Sequence, residues 1–270
     1  MVIILKSPPQ ESDLPIDAMI LRCYSENRFA DGGLIMKIAG LQKLTLLDYP
    51  GRVACTVFLN GCNFRCPFCH NGQLLAGQQT PVMTESELLT FLDKRRGVLD
   101  GVCITGGEPT LHPALPDLLR QIRTLGYAVK LDTNGYRPEV LKSLVREGLV
   151  DYVAMDVKNS PGRYAQTAGL AGLDLARIEE SISYLKSGAV DHEFRTTVAL
   201  PLHDEQSLEE MARWLLALGD GHKISRHFVQ PFVDRDTVLM SGLATPGDEM
   251  LAKFVEIMGQ CAEKVELRGK

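Results

Sequence analysis

The chain has 270 residues, 45% of them hydrophobic and 23% charged, with a formal net charge of −5 and a pI near 5.7. That length and apolar content are enough for one substantial core in a single domain, and the acidic balance argues against a broad nucleic-acid footprint. No apolar run approaches membrane-spanning length and no basic start leads into a long apolar stretch with a cleavage site, so the chain reads as cytoplasmic, without a nucleic-acid or membrane partner.

Residues 1–35 mix Pro8, Pro9, acidic side chains and Gly32-Gly33 without periodicity. They read as an N-terminal extension of no assigned role, which leaves 36–270 as the core domain, closed by a C-terminal helix. From there short apolar runs alternate with helical patterns, the mark of repeated βα units around a parallel sheet. Strands are expected at Val53–Leu59, Val102–Thr105, Ala128–Leu131, Tyr152–Asp156, Glu193–Ala199 and His227–Gln230. Helices are expected at Glu85–Arg95, Ala114–Leu125, Glu139–Glu147, Leu175–Lys186, Leu208–Leu218 and Asp248–Cys261. Thr84 with Glu87 forms a capping box, and Leu115, Leu118, Ile122 and Leu125 make an apolar stripe that belongs to the core. Six such units predict an α/β fold, a partial (β/α)6 barrel.

The first strand closes at Gly61 into Cys62-Asn63-Phe64-Arg65-Cys66-Pro67-Phe68-Cys69. Three thiolates at this spacing can hold an iron–sulfur cluster and leave one iron open for chemistry. A zinc site completed by His70, or three buried thiols, are the alternatives. Cys23, Cys55, Cys103 and Cys261 are scattered and read as reduced thiols outside any disulfide framework. The second strand runs into Gly106-Gly107-Glu108-Pro109, where paired glycines permit close backbone approach and Glu108 can hold an ammonium group. A tight turn with a solvated acid is the bland reading of that segment.

Ligand-handling residues gather at the C-terminal ends of parallel strands in barrels, so polar residues just past each apolar run carry information. The third strand is followed by Asp132-Thr133-Asn134-Gly135, the fourth by Asp156-Val157-Lys158, the fifth contains Arg195 and the sixth ends in Gln230-Pro231-Phe232.

Cysteine triplet and Gly-Gly-Glu segment together resemble the radical S-adenosylmethionine (SAM) superfamily. The stretch from Gly40 to Gly51 and Cys69-His70-Asn71-Gly72 are similar, within it, to the activating enzymes of glycyl-radical partners, closest to those of anaerobic ribonucleotide reductase and related to pyruvate formate-lyase activating enzyme. The resemblance implies a 4Fe-4S cluster on Cys62, Cys66 and Cys69, with Phe68 packing against adenine. It places the methionine end of SAM at Gly106, Gly107, Glu108 and Asp132, and its carboxylate or ribose near Lys158 and Arg195. One departure stands out: where pyruvate formate-lyase activating enzyme has a ribose-contacting histidine two residues past a proline, this chain has Gln230-Pro231-Phe232-Val233, and Gln230 is the candidate substitute. Asp132, Thr133 and Asp156 align with oxygen ligands of a monovalent cation. The implied reaction uses one electron from flavodoxin or ferredoxin to cleave SAM, and the resulting radical takes hydrogen from a glycine of the partner. His70 then reads as a loop or supporting group rather than a base. An activase for another glycyl-radical enzyme, or a radical SAM enzyme acting on a small molecule, shares the same site residues.

Overall fold

A computed structural model describes residues 36–75, 80–218 and 221–269. The expected extension, residues 1–35 with Cys23, lies outside them. The described chain opens with β1 (Lys37–Thr45) and β2 (Ala54–Leu59), an antiparallel pair, and β3 (Met83–Thr84) pairs with the start of β1. Helices and strands then alternate: α1 (Glu85–Asp93), β4 (Gly101–Gly106), α2 (Leu115–Thr124), β5 (Ala128–Thr133), α3 (Pro138–Arg146), β6 (Tyr152–Asp156) and the short α4 (Tyr164–Ala168). The rest is α5 (Leu175–Lys186), β7 (Asp191–Val198), α6 (Glu205–Ala217), β8 (Ile224–Pro231), α7 (Asp248–Met258) and β9 (Ala262–Leu267). Among the described residues no helix is long and apolar enough to cross a membrane.

One sheet holds all the described strands in the order β3-β1-β2-β4-β5-β6-β7-β8-β9, and every pairing from β2 onward is parallel. The six expected parallel strands are therefore β2 and β4 to β8. The antiparallel β1 and β3 extend one edge and β9 the other, so the chain runs past α7, the expected terminal helix, into a further strand. These edge strands escape a search for apolar runs because β1 is interrupted by Gly40 and two lysines, while Glu263, Lys264 and Glu266 keep β9 polar, as unpaired edges require.

Strand periodicity divides the sheet into two faces. On β4 and β5, Val102, Ile104, Val129 and Leu131 join the large core beneath the helices, whereas Cys103 packs with Tyr49, Ala54 and Tyr152 on the inner face. The helices are cut to cover the outer face. α1 starts at the Thr84–Glu87 capping box, and α2 buries Leu115, Leu118, Leu119 and Ile122 completely, each worth roughly 1.5–3 kcal/mol. Leu125 sits past the end of α2 as its cap and is only partly buried, so it ends the predicted stripe at Ile122. The inner face is polar: Lys130 and Asp132 alternate on β5, and Glu193, sealed by Arg268 and the Tyr152 hydroxyl, precedes Arg195 on β7.

Candidate active site

The strand ends and the cysteine loop enclose a cavity of about 260 Å3. Every residue singled out from the sequence lines it: Cys62, Cys66, Cys69, Phe68, Gly106, Gly107, Glu108, Asp132, Lys158, Arg195 and Gln230. Residues the sequence reading did not single out also face it, among them Asn71, Thr105, Asn134 and Thr197. Asn134 had a visible signal, since it sits in the polar tetrapeptide that follows β5.

The cysteine loop is pinned from several sides. Arg65 donates from Nη1 to the carbonyls of Cys62 and Phe64 at 2.6 and 2.9 Å, and its backbone N–H donates to Ala168 at the end of α4. Cys69 N–H donates to the Cys66 carbonyl at 3.0 Å, closing a turn that brings the two thiols to one side. The backbone N–H of Phe64 reaches the Cys62 sulfur at 3.4 Å. His70 is spent elsewhere: Nε2 lies 2.7 Å from the Val233 carbonyl and the ring stacks on Phe232.

Burial pushes all three thiols above the ordinary value, Cys66 to about 11 even though the Lys158 ammonium acts in the other direction. Thiols held this way stay protonated until a cation displaces the proton, which is how thiolate sites couple metal binding to proton release. Among the described residues no set of three His, Cys, Asp or Glu side chains is gathered to hold one metal ion. Three thiols line the cavity, and engagement of the His70 ring by Val233 takes away the fourth ligand that a zinc site here would need.

The glycine pair has a packing reason of its own. Gly106 has φ +123°, and a Cβ there would lie 2.2 Å from the Leu59 backbone nitrogen; one on Gly107 would lie 1.9 Å from the Gly61 carbonyl oxygen. The close approach is to the backbone that launches the cysteine loop, and Gly107 and Glu108 N–H groups bond to Leu59 and Gly61 carbonyls at 2.8 and 2.7 Å. Glu108 is likewise no solvated acid. Its buried carboxylate accepts from the N–H and hydroxyl of Thr110, the Thr133 hydroxyl at 2.8 Å and the Asn134 N–H at 2.7 Å. Burial raises its pKa against the pull of those donors.

Phe68 is buried in the cavity wall, 6.2 Å from the His203 ring and 5.9 Å from the Lys158 ammonium, centroid distances that leave it part of an aromatic and cationic cluster. Beside it five charged side chains alternate in sign across β5, β6 and β7. Lys130 meets Asp132 at 2.5 Å, Asp132 meets Arg195 Nη1 at 3.0 Å, Arg195 Nε meets Asp156 at 2.9 Å, and Asp156 meets Lys158 at 2.9 Å. Three cations against two carboxylates leave a net +1 beside the cavity. Burial alone would raise both carboxyl pKa values, but the Arg195 guanidinium and the lysines reverse this, taking Asp156 down to about 2 and Asp132 below its ordinary value.

The oxygens expected to hold a monovalent cation are therefore engaged. Both Asp132 oxygens and both Asp156 oxygens face ammonium or guanidinium groups, and the Thr133 hydroxyl bonds Glu108 and Gly135. The residues present do not fit such an ion.

The Radical SAM superfamily pattern matches residues 56–215. A protein of Methanocaldococcus jannaschii, provisionally named a glycyl-radical enzyme activating enzyme, is 34% identical over 180 residues, 65% of this chain and 74% of that one. A Thermococcus kodakarensis protein, provisionally named GTP 3′,8-cyclase, is 34% identical over 129 residues, 46% of this chain and 41% of its own. The crystal structure of a domain of pyruvate-formate lyase-activating enzyme from Bacteroides vulgatus shares the fold with TM-score 0.51 and 21% identity, covering 63% of this chain and 99% of that one. The chain belongs to the radical SAM superfamily, which carries a 4Fe-4S cluster and employs S-adenosylmethionine.

Proposed function

We propose that the protein is an activase that cleaves SAM reductively and sets a glycyl radical on a partner enzyme, an anaerobic ribonucleotide reductase, with flavodoxin or ferredoxin as electron donor. The observation that carries this reading is the meeting of the three thiols with the Gly-Gly-Glu turn in one cavity, in a chain 34% identical over 180 residues to the archaeal relative named for glycyl-radical activation. When bound on Cys62, Cys66 and Cys69, the cluster supplies the electron that opens the sulfonium.

The chain's own work is binding, orientation and exclusion of water. Lys158 and Arg195 offer charge-assisted donors to a carboxylate, Phe68 offers a flat apolar face to adenine, and Gln230 offers an amide to the ribose. With its carboxylate tied to Thr110, Thr133 and Asn134, Glu108 offers an ammonium its remaining lone pairs beside the Gly106–Gly107 backbone.

Reduced, reconstituted protein with SAM and the reductase should give the doublet of a glycyl radical by electron paramagnetic resonance. A doublet with another glycyl-radical enzyme and none with the reductase would move the assignment to that partner. The similarity to the protein named GTP 3′,8-cyclase favours a second reading, chemistry on a small molecule, which predicts product from a metabolite with no protein partner present.

A further inference from the structure

Lys130 is the one charged residue inside an otherwise apolar run, Ala128-Val129-Lys130-Leu131, and it is 1% exposed. An ammonium there forfeits its hydration, a cost of several kcal/mol unless a partner offsets it. Its partner is the Asp132 carboxylate at 2.5 Å, reached because residues two apart on a strand share a face. The other Asp132 oxygen turns to Arg195, which also holds Asp156, so Lys130 stands at the inner end of the ion ladder that borders the cavity. Cys103 is its register partner on β4, and burial pushes that thiol well above the ordinary value.

The oxygens that would ligate a monovalent cation in this wall are engaged by ammonium and guanidinium groups. We infer that Lys130 is a built-in cation: its tethered ammonium takes the place of a dissociable sodium or potassium ion, neutralising Asp132 and so fixing Arg195 and Asp156 where they face SAM. Size and charge suit the exchange, because a lysine ammonium is a compact point charge with three donors. Lys130 is thus a positioning residue, acting through Asp132 and Arg195. The inference rests on the SAM-binding reading of this cavity, and it implies that the protein works without added alkali metal.

The test is cation dependence in the reconstituted holoenzyme. SAM affinity should be the same in potassium, sodium and tetramethylammonium chloride at matched ionic strength. Lys130→Met should lose about tenfold or more in SAM affinity in tetramethylammonium, equivalent to 1.4 kcal/mol or more, and regain it selectively in potassium or sodium. A purely structural defect would show no such ion selectivity. Lys130→Arg, which keeps the charge, should stay indifferent to the salt. A wild-type protein that needs potassium or sodium, or a Lys130→Met variant that binds SAM equally well in every salt, would overturn the inference. A readout independent of SAM is the 23Na resonance: potassium-displaceable broadening by the wild-type protein would also overturn it, whereas broadening confined to Lys130→Met would support it. If neither protein binds SAM in any salt, the reading of the cavity falls, and the sodium resonance still decides the role of Lys130.

Discussion

The Glu108 carboxylate accepts the Asn134 backbone N–H at 2.7 Å, and this bond ties the end of β4 to the turn after β5. Because the remaining contacts of that carboxylate are also donors, an amide in its place turns an NH2 group toward at least one N–H or O–H. Glu108→Gln should cost about 1–3 kcal/mol, the penalty for a buried polar group left unmatched. Thermal unfolding reads this as a Tm lowered by several degrees, and an unchanged Tm would contradict the tie.

Gly107→Ala forces a methyl group to within 1.9 Å of the Gly61 carbonyl oxygen, and backbone cannot swing aside as a side chain can. The expected result is a displaced Cys62 segment with the sheet retained. Iron and sulfide after reconstitution should fall well below the wild-type content while the far-ultraviolet circular dichroism stays the same. Full loading would show that the loop tolerates the shift.

His227 lies fully buried on the outer face of β8, with Nε2 3.1 Å from the Thr196 hydroxyl and Nδ1 unpartnered. Burial lowers its pKa from 6.5 to about 3. A depressed value means that the unfolded chain takes up a proton the folded chain refuses. Stability is therefore complete above pH 6.5 and is lost as pH falls toward about 3, at up to about 1.4 kcal/mol per pH unit. His227→Phe should flatten that part of the denaturant-derived stability profile relative to wild type. Parallel profiles for the two proteins would contradict the assignment.

The parallel strands and most helices were legible because their outer faces are predominantly apolar; Tyr152–Asp156 and Leu175–Lys186 have the predicted bounds. The edges were not, since β1 and β9 owe their existence to pairing with β2 and β8 rather than to an apolar run of their own. In the site, the cysteines and strand-end polar residues announced themselves by spacing and position. What stayed hidden was how polar groups are shared: that Asn134 completes the Glu108 shell, that Arg195 spans two carboxylates, and that Lys130 lies beneath Asp132. Such partnerships depend on register between strands, Asp156 beside Arg195 for instance, and pattern along one strand carries no register.

On the proposed function, Cys62, Cys66 and Cys69 hold a cluster that cleaves SAM in this cavity. The most direct measurement is single-turnover incubation of anaerobically reconstituted protein with SAM and dithionite, followed by chromatography of the products. Methionine and 5′-deoxyadenosine are expected from the wild type and neither from Cys66→Ala. Intact SAM with iron-loaded, reduced wild-type protein, or undiminished cleavage by Cys66→Ala, would contradict it.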